Sequence, residues 1–167
     1  MNKRIIISNQ SNYEDCHLEN YQEGAREDAL TDIDMKMVDF MKSCNTEYNI
    51  LNAIDCFGVK ISYNTLFKYI EMYARAFLYY GIESGDRVAV MLPNSPEMIY
   101  IQFALNTINA SFVPIPSNVD SNLLLSYVNS SNSKILISAL DEYKLIVEPV
   151  IDKLKVEDIY TVSPLQS

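Results

Sequence analysis

Arg87-Val88-Ala89-Val90-Met91-Leu92-Pro93-Asn94-Ser95-Pro96-Glu97, running directly into Met98-Ile99-Tyr100-Ile101-Gln102-Phe103-Ala104-Leu105, is the stretch on which the fold turns. Val88, Val90 and Leu92 alternate with Ala89 and Met91, so the strand is apolar on both faces. That pattern suits a parallel strand covered on both sides, not a half-wet antiparallel one. Asn94 or Ser95 can cap a helix. Pro96 fits its first turn, where an N–H would go unbonded anyway, and Glu97 complements the positive helix start. The helix, residues 96–108, is apolar nearly all round, which predicts burial. Asn109 takes the stop position that glycine usually fills.

Upstream, Met37, Val38, Phe40 and Met41 fit a short amphipathic helix, and Ala53–Phe57 with Val59–Ser62 flank Gly58 as a small hairpin. Ser62 can cap a helix running to Tyr80 and stopped by Gly81 in a left-handed conformation. Its Leu66, Ile70, Tyr73, Ala74, Phe77 and Leu78 form one apolar stripe. Downstream, Ser111–Ile115 reads as a strand ending at Pro114 and Pro116, Leu123–Asn129 as a helix and Lys134–Ser138 as a strand. Asp141–Val147 reads as a helix restarted or kinked at Pro149, and Ile159–Val162 as a last short strand. Helix and strand therefore alternate strictly from residue 62. The expectation is an α/β fold, a doubly wound, mostly parallel sheet with helices on both faces, preceded by a small β-hairpin.

Composition sets the outer bounds. At 167 residues, 49% hydrophobic and 21% charged, the chain can bury a core and is not disordered throughout. Its net charge is −9, and residues 1–34 contribute eight acids and three bases, so −5 sits in an aperiodic stretch expected to be an acidic N-terminal arm. Tyr13, Leu18 and Tyr21 are its candidate docking contacts. The body is residues 35–167. Nucleic acid and anionic membrane surfaces both need a basic face and are not expected partners. No run reaches the ~18 apolar residues of a transmembrane helix, and Ile5-Ile6-Ile7 after Lys3-Arg4 is too short for a signal peptide. A cytoplasmic location is expected, with Cys16, Cys44 and Cys56 as buried thiols.

Chemistry-bearing residues are sparse. The four glycines, Gly24, Gly58, Gly81 and Gly85, are dispersed, so no phosphate-cradling loop or dinucleotide fingerprint is present. Three unpaired cysteines and the single His17 do not make a zinc ligand set. Ser8, Ser84 and Ser95 lack an evident base for nucleophilic catalysis. Asp141-Glu142 and Glu157-Asp158 are adjacent pairs that read as solvated ends rather than as acid/base partners. In a doubly wound sheet ligands bind beyond the carboxyl ends of the strands. There Pro93-Asn94-Ser95, Pro116-Ser117-Asn118 and Ser138-Ala139 could rim a pocket or simply form turns. No catalytic, cofactor-binding or metal-ligating residue is assigned. On these residues a free-standing flavodoxin-like binding module and a small hydrolase are both open readings.

Residues 61–115 carry a further pattern. Ile61-Ser62-Tyr63-Asn64-Thr65-Leu66 resembles the hydrophobic–Thr–Tyr–x–x–Leu opening of adenylate-forming enzymes, the acyl-CoA synthetase and AMP-dependent synthetase and ligase family. In register with it, Gly81-Ile82-Glu83-Ser84-Gly85-Asp86-Arg87-Val88-Ala89 resembles the family's glycine–aspartate turn and strand. Leu92-Pro93-Asn94-Ser95-Pro96-Glu97 resembles its L-P-N-S-P-E. Phe103-Ala104 through Asn109-Ala110 and Val113-Pro114 resembles the next segment, with Asn109 where glycine is usual. Lys134-Ile135-Leu136-Ile137-Ser138 resembles a later strand, after Ser133 in place of alanine.

The resemblance runs from about residue 35 to the end of the sequence and implies the N-terminal subdomain of such an enzyme, truncated before its phosphate loop. Ending at Pro164-Leu165-Gln166-Ser167 is then a break inside a longer protein. The family's phosphate loop, its ribose-binding aspartate and its catalytic lysine have no counterpart here. For the full enzyme the resemblance implies ATP, Mg²⁺ and CoA, a carboxylic acid substrate and AMP-forming thioester synthesis. For these 167 residues it implies no cofactor of their own, a scaffold role and the remainder of the polypeptide as partner, with helix 96–108 as the covered surface and weak homodimerisation where that half is missing.

Overall fold

The computed structural model describes residues 35–47 and 49–163. The expected arm, residues 1–34 with Tyr13, Leu18 and Tyr21, lies outside the described residues. A helix α1 (Met37–Cys44) leads into a hairpin of β1 (Asn52–Cys56) and β2 (Val59–Ser62), then α2 (Tyr63–Tyr79). From there helix and strand alternate: β3 (Arg87–Met91), α3 (Pro96–Thr107), β4 (Ser111–Pro114), α4 (Ser121–Ser131) and β5 (Ile135–Ala139). An irregular helix over residues 140–153 precedes β6 (Asp158–Val162). The strands β4-β3-β5-β6 form one sheet in that order, every pair parallel, and β1-β2 pair antiparallel. The doubly wound reading of the sequence is the fold observed.

The pleat of β3 explains its two-sided apolarity. Val88 and Val90 face α2 and α3, packing with Phe77, Ile101, Ala104 and Leu105. Ala89 and Met91 face the other layer, with Leu124 and Val128 of α4 and Val147 and Val150 of the irregular helix. A third, smaller cluster joins Val38, Leu66, Ile70 and Tyr100. Helix α3 is therefore enclosed within the described chain. The sheet takes Ile101, Ala104 and Leu105, while α1, α2 and the hairpin take Tyr100, Ile99 and Phe103. Its lack of a polar face is accounted for locally, so it is not left open for a missing half to cover.

Helix ends follow their sequence signals. Ser62 accepts from the Thr65 N–H at 3.3 Å and Ser95 from the Met98 N–H at 3.4 Å. After α2, Gly81 at φ +79° donates to Leu78 O at 3.1 Å, and Ile82 N–H reaches Phe77 O at 2.9 Å. After α3, Asn109 at φ +59° repeats the motif through Asn106 O and Leu105 O. Three features differ from expectation. Helix α4 begins at Ser121, two residues early, because the Asp120 carboxylate accepts from Leu123 N–H at 2.9 Å. It runs to Ser131, and Asn132 turns left-handed at φ +52°. The helix expected at Asp141–Val147 is one α-turn (Leu140–Glu142), a π-turn (Tyr143–Val147) and a 3₁₀ segment (Glu148–Lys153). Pro149 cannot donate and its ring crowds the carbonyl four residues back, so the α ladder widens and then restarts tighter.

Candidate functional site

In this sheet β4 follows β3 on one side and β5 lies on the other, with α3 and α4 on opposite faces. The direction of winding therefore reverses between β3 and β5, and their carboxyl ends frame the crevice where such sheets bind ligands. Beyond β3, Pro93 and Asn94 are exposed and Ser95 is buried, its hydroxyl engaged as the cap of α3. In β5, Ser138 is fully buried and donates to the Ala139 carbonyl at 2.8 Å. The hydroxyls of Ser95 and Ser138 already serve the backbone, while Ser117 and Asn118 beyond β4 are half-buried and exposed. Pro96 at the first turn of α3 removes an amide, and the adjacent Glu97 puts negative charge where an anion would sit.

Glu97 has a second aspect. Its Oε2 is buried with no hydrogen-bond partner among the described residues. Tyr100 stacks on Tyr69 with ring centroids 4.9 Å apart and lies 6.0 Å from Tyr73. Burial, and then the Glu97 charge, push the Tyr100 hydroxyl up to about 12 and raise that of Tyr73. These groups pack α2 against α3, and Tyr73 also borders a small apolar cavity of about 130 Å³.

The most connected polar group sits at the opposite, amino end of the sheet. Asp86 Oδ2 accepts from Glu83 N–H at 2.8 Å and from Lys134 Nζ at 3.0 Å, and the same ammonium donates to Gly81 O at 2.8 Å. The Glu83 amide and then the lysine hold the Asp86 carboxyl below its usual range, and the carboxylate raises Lys134 in turn. The pair ties the turn before β3 to the residue before β5, away from the ligand-binding end. Sequence reading did not single it out as a pair. Both residues lie in family-like segments, but 48 positions separate them.

The candidate residues are not brought together. Ser84 lies on an exposed turn, Ser95 is a cap, and Ser8, Cys16 and His17 fall outside the described residues. Asp141-Glu142 lie on a helical turn, and Glu157-Asp158 lead into β6, where the Glu157 N–H donates to Lys134 O at 2.8 Å. Cys44 is exposed and Cys56 half-buried, both as free thiols. Among the described residues no three His, Cys, Asp or Glu side chains gather to hold a metal ion, and no helix is long and apolar enough to cross a membrane.

A family model described as AMP-binding enzyme matches residues 43–166, most of the body. The chain belongs to the AMP-binding enzyme family. A crotonobetaine/carnitine–CoA ligase from Salmonella typhi is 34% identical over 95 residues, covering 56% of this chain and 18% of the ligase. Among solved structures, a long-chain-fatty-acid-CoA ligase from Archaeoglobus fulgidus superposes at TM-score 0.73 with 21% identity, covering 80% of this chain and 28% of that one. The N-terminal domain of FACL13 from Mycobacterium tuberculosis gives TM-score 0.66 with 24% identity, covering 77% and 34%. At those identities the structural likeness shows the fold. The chain thus spans under a fifth of that curated relative's length and about a third or less of those solved relatives.

Proposed function

We propose that this AMP-binding family chain is the N-terminal scaffold of an ATP-dependent acid–thiol ligase. In the complete protein a carboxylate attacks the α-phosphate of ATP, pyrophosphate leaves, and the acyl-adenylate is then captured by CoA as a thioester with release of AMP. The observation that carries the reading is the family match over residues 43–166, in a chain whose curated relative is a CoA ligase. ATP, Mg²⁺, CoA and the carboxylic acid belong to the complete enzyme, and a cytoplasmic setting goes with that reading.

The described residues of this chain do not fit a triphosphate. At the β3–β5 crevice Ser95 and Ser138 spend their hydroxyls on neighbouring backbone, Pro96 deletes an amide, and Glu97 would repel phosphate oxygens. Lys134 is held by Asp86 and Gly81 at the other end of the sheet. No catalytic step is therefore assigned to this chain. Its contribution is mechanical: a rigid doubly wound layer against which the nucleotide-binding part is held in register.

The test is carboxylate-dependent ATP–pyrophosphate exchange. The 167-residue chain is expected to give none with any carboxylate tried, and titration calorimetry with Mg-ATP no saturable heat. The protein translated from the uninterrupted native frame is expected to exchange. Exchange by the 167 residues alone would overturn the scaffold reading.

A further inference from the structure

We infer that the irregular helix after β5 is a two-register element. Its upstream turn, Leu140–Glu142, can be re-aimed at the mouth of the β3–β5 crevice, and α4 is the latch that holds the register observed. The segment changes helical spacing twice between residues 140 and 153. An α-turn (Leu140–Glu142) gives way to a π-turn (Tyr143–Val147), closed by the Glu148 N–H on Tyr143 O, and then to a 3₁₀ run (Glu148–Lys153). A π-turn holds more residues than an α-turn, so it is a stored register shift that a regular α ladder would release. Pro149 decides which carbonyl suffers. In α spacing the missing N–H and the ring fall on Leu145 O; in 3₁₀ spacing the missing N–H is the one owed to Ile146 O.

That second carbonyl is met from outside the segment. Ser121 Oγ, on the first residue of α4, donates to Ile146 O at 2.8 Å. Further along α4, Asn129 Nδ2 donates to Lys153 O at 3.1 Å, and its Oδ1 accepts from the Lys155 N–H at 2.8 Å. Side chains of a neighbouring helix therefore hold a spacing that the segment's own sequence does not. Val147 and Val150 are buried in one cluster with Leu124 and Val128 of α4, and they anchor the middle of the segment. Turning them outward would expose apolar surface, so release of the π-turn is taken up upstream, at Leu140–Glu142. One residue of register turns that stretch by about 100° around the helix axis. Leu140 is exposed and directly follows β5, at the carboxyl end of the sheet. The shift therefore decides whether the crevice mouth meets the apolar Leu140 or the carboxylates of Asp141 and Glu142.

NMR relaxation dispersion on the 167-residue chain tests this, because register shifts fall on the μs–ms timescale. Dispersion is expected at the amides of residues 140–147 and not along α4, from a minor state of about 1%. Ser121→Ala leaves a good helix former at the start of α4 and removes the bond to Ile146 O. It is expected to raise the minor population about 5–10-fold, and to move the Cα shifts of residues 143–147 toward regular α values. Ser121→Thr keeps the hydroxyl and should stay within about twofold of the wild type. Pro149→Ala restores the missing N–H and should give one continuous α ladder without dispersion. Equal populations in the wild type and Ser121→Ala, or dispersion in neither, would overturn the inference. Dispersion centred on Glu148–Lys153 instead of the upstream turn would overturn it as well. Should Ser121→Ala fail to fold, Pro149→Ala decides: dispersion that persists there overturns the inference, and its loss supports it.

Discussion

Asp86 and Lys134 show how one pair of side chains fastens two distant stretches. The aspartate satisfies a backbone amide of its own turn while the lysine reaches across to it and to Gly81 O, with about a quarter of each side chain still exposed. Asp86→Asn is expected to cost about 1 kcal/mol at neutral pH, read from urea denaturation, since it weakens both bonds without opening a void. Because the folded-state carboxyl lies below its ordinary value of 3.8, its contribution is present above that value and is lost as pH falls through the depressed one. The acid limb of the wild-type stability curve should therefore be steeper than that of the variant. Tyr100 contributes to the other limb. With its hydroxyl raised from 10.0 to about 12, the unfolded chain loses its proton first, and stability falls as pH climbs between those values. Tyr100→Phe should flatten the loss over that window, measured as Tm against pH.

At the level of elements, the turn after α3 is the sharpest test of the backbone argument. Asn109 sits at φ +59°, its N–H donating to Asn106 O and the following Ala110 N–H to Leu105 O. Asn109→Gly should hold or gain a few tenths of a kcal/mol, whereas Asn109→Ala should lose about 1 kcal/mol, because a Cβ without a compensating amide is strained there. Both are readable as thermal shifts. Leu105→Ala, in the wholly buried part of α3, should lose about 2–5 kcal/mol. Elements like these were legible because their signals are local. Alternation marked β3, Ser62 and Ser95 marked helix starts, and Gly81 and Asn109 marked stops. What stayed hidden depends on partners far along the chain or on one residue's effect on several others. The first turn of α1 has no cap of its own, and the Val38 N–H is satisfied by the Asn106 side chain at 3.1 Å, 68 positions away. Pro149 announced a break, but not that the relief would be a π-turn followed by a 3₁₀ segment. The rim of the β3–β5 crevice was named from topology. That its serines are spent on capping and on an adjacent carbonyl could come only from geometry.

For the molecule as a whole, the expectation about helix 96–108 illustrates a limit of hydropathy. An apolar circumference says that a helix is covered, not by what. Here α1, α2, the hairpin and the sheet do the covering. The strand order gives this a temporal meaning. β3, β4 and β5 fill the interior and the proline-closed side, and the last of the described strands is also the outermost on its own side. No described strand must wait for a later one to be inserted between its neighbours: β5 adds to the open side of β3, and β6 to the open side of β5. A nascent chain leaving the ribosome can therefore lock this layer in the order it is synthesised, with the outer border of β6 the last to form.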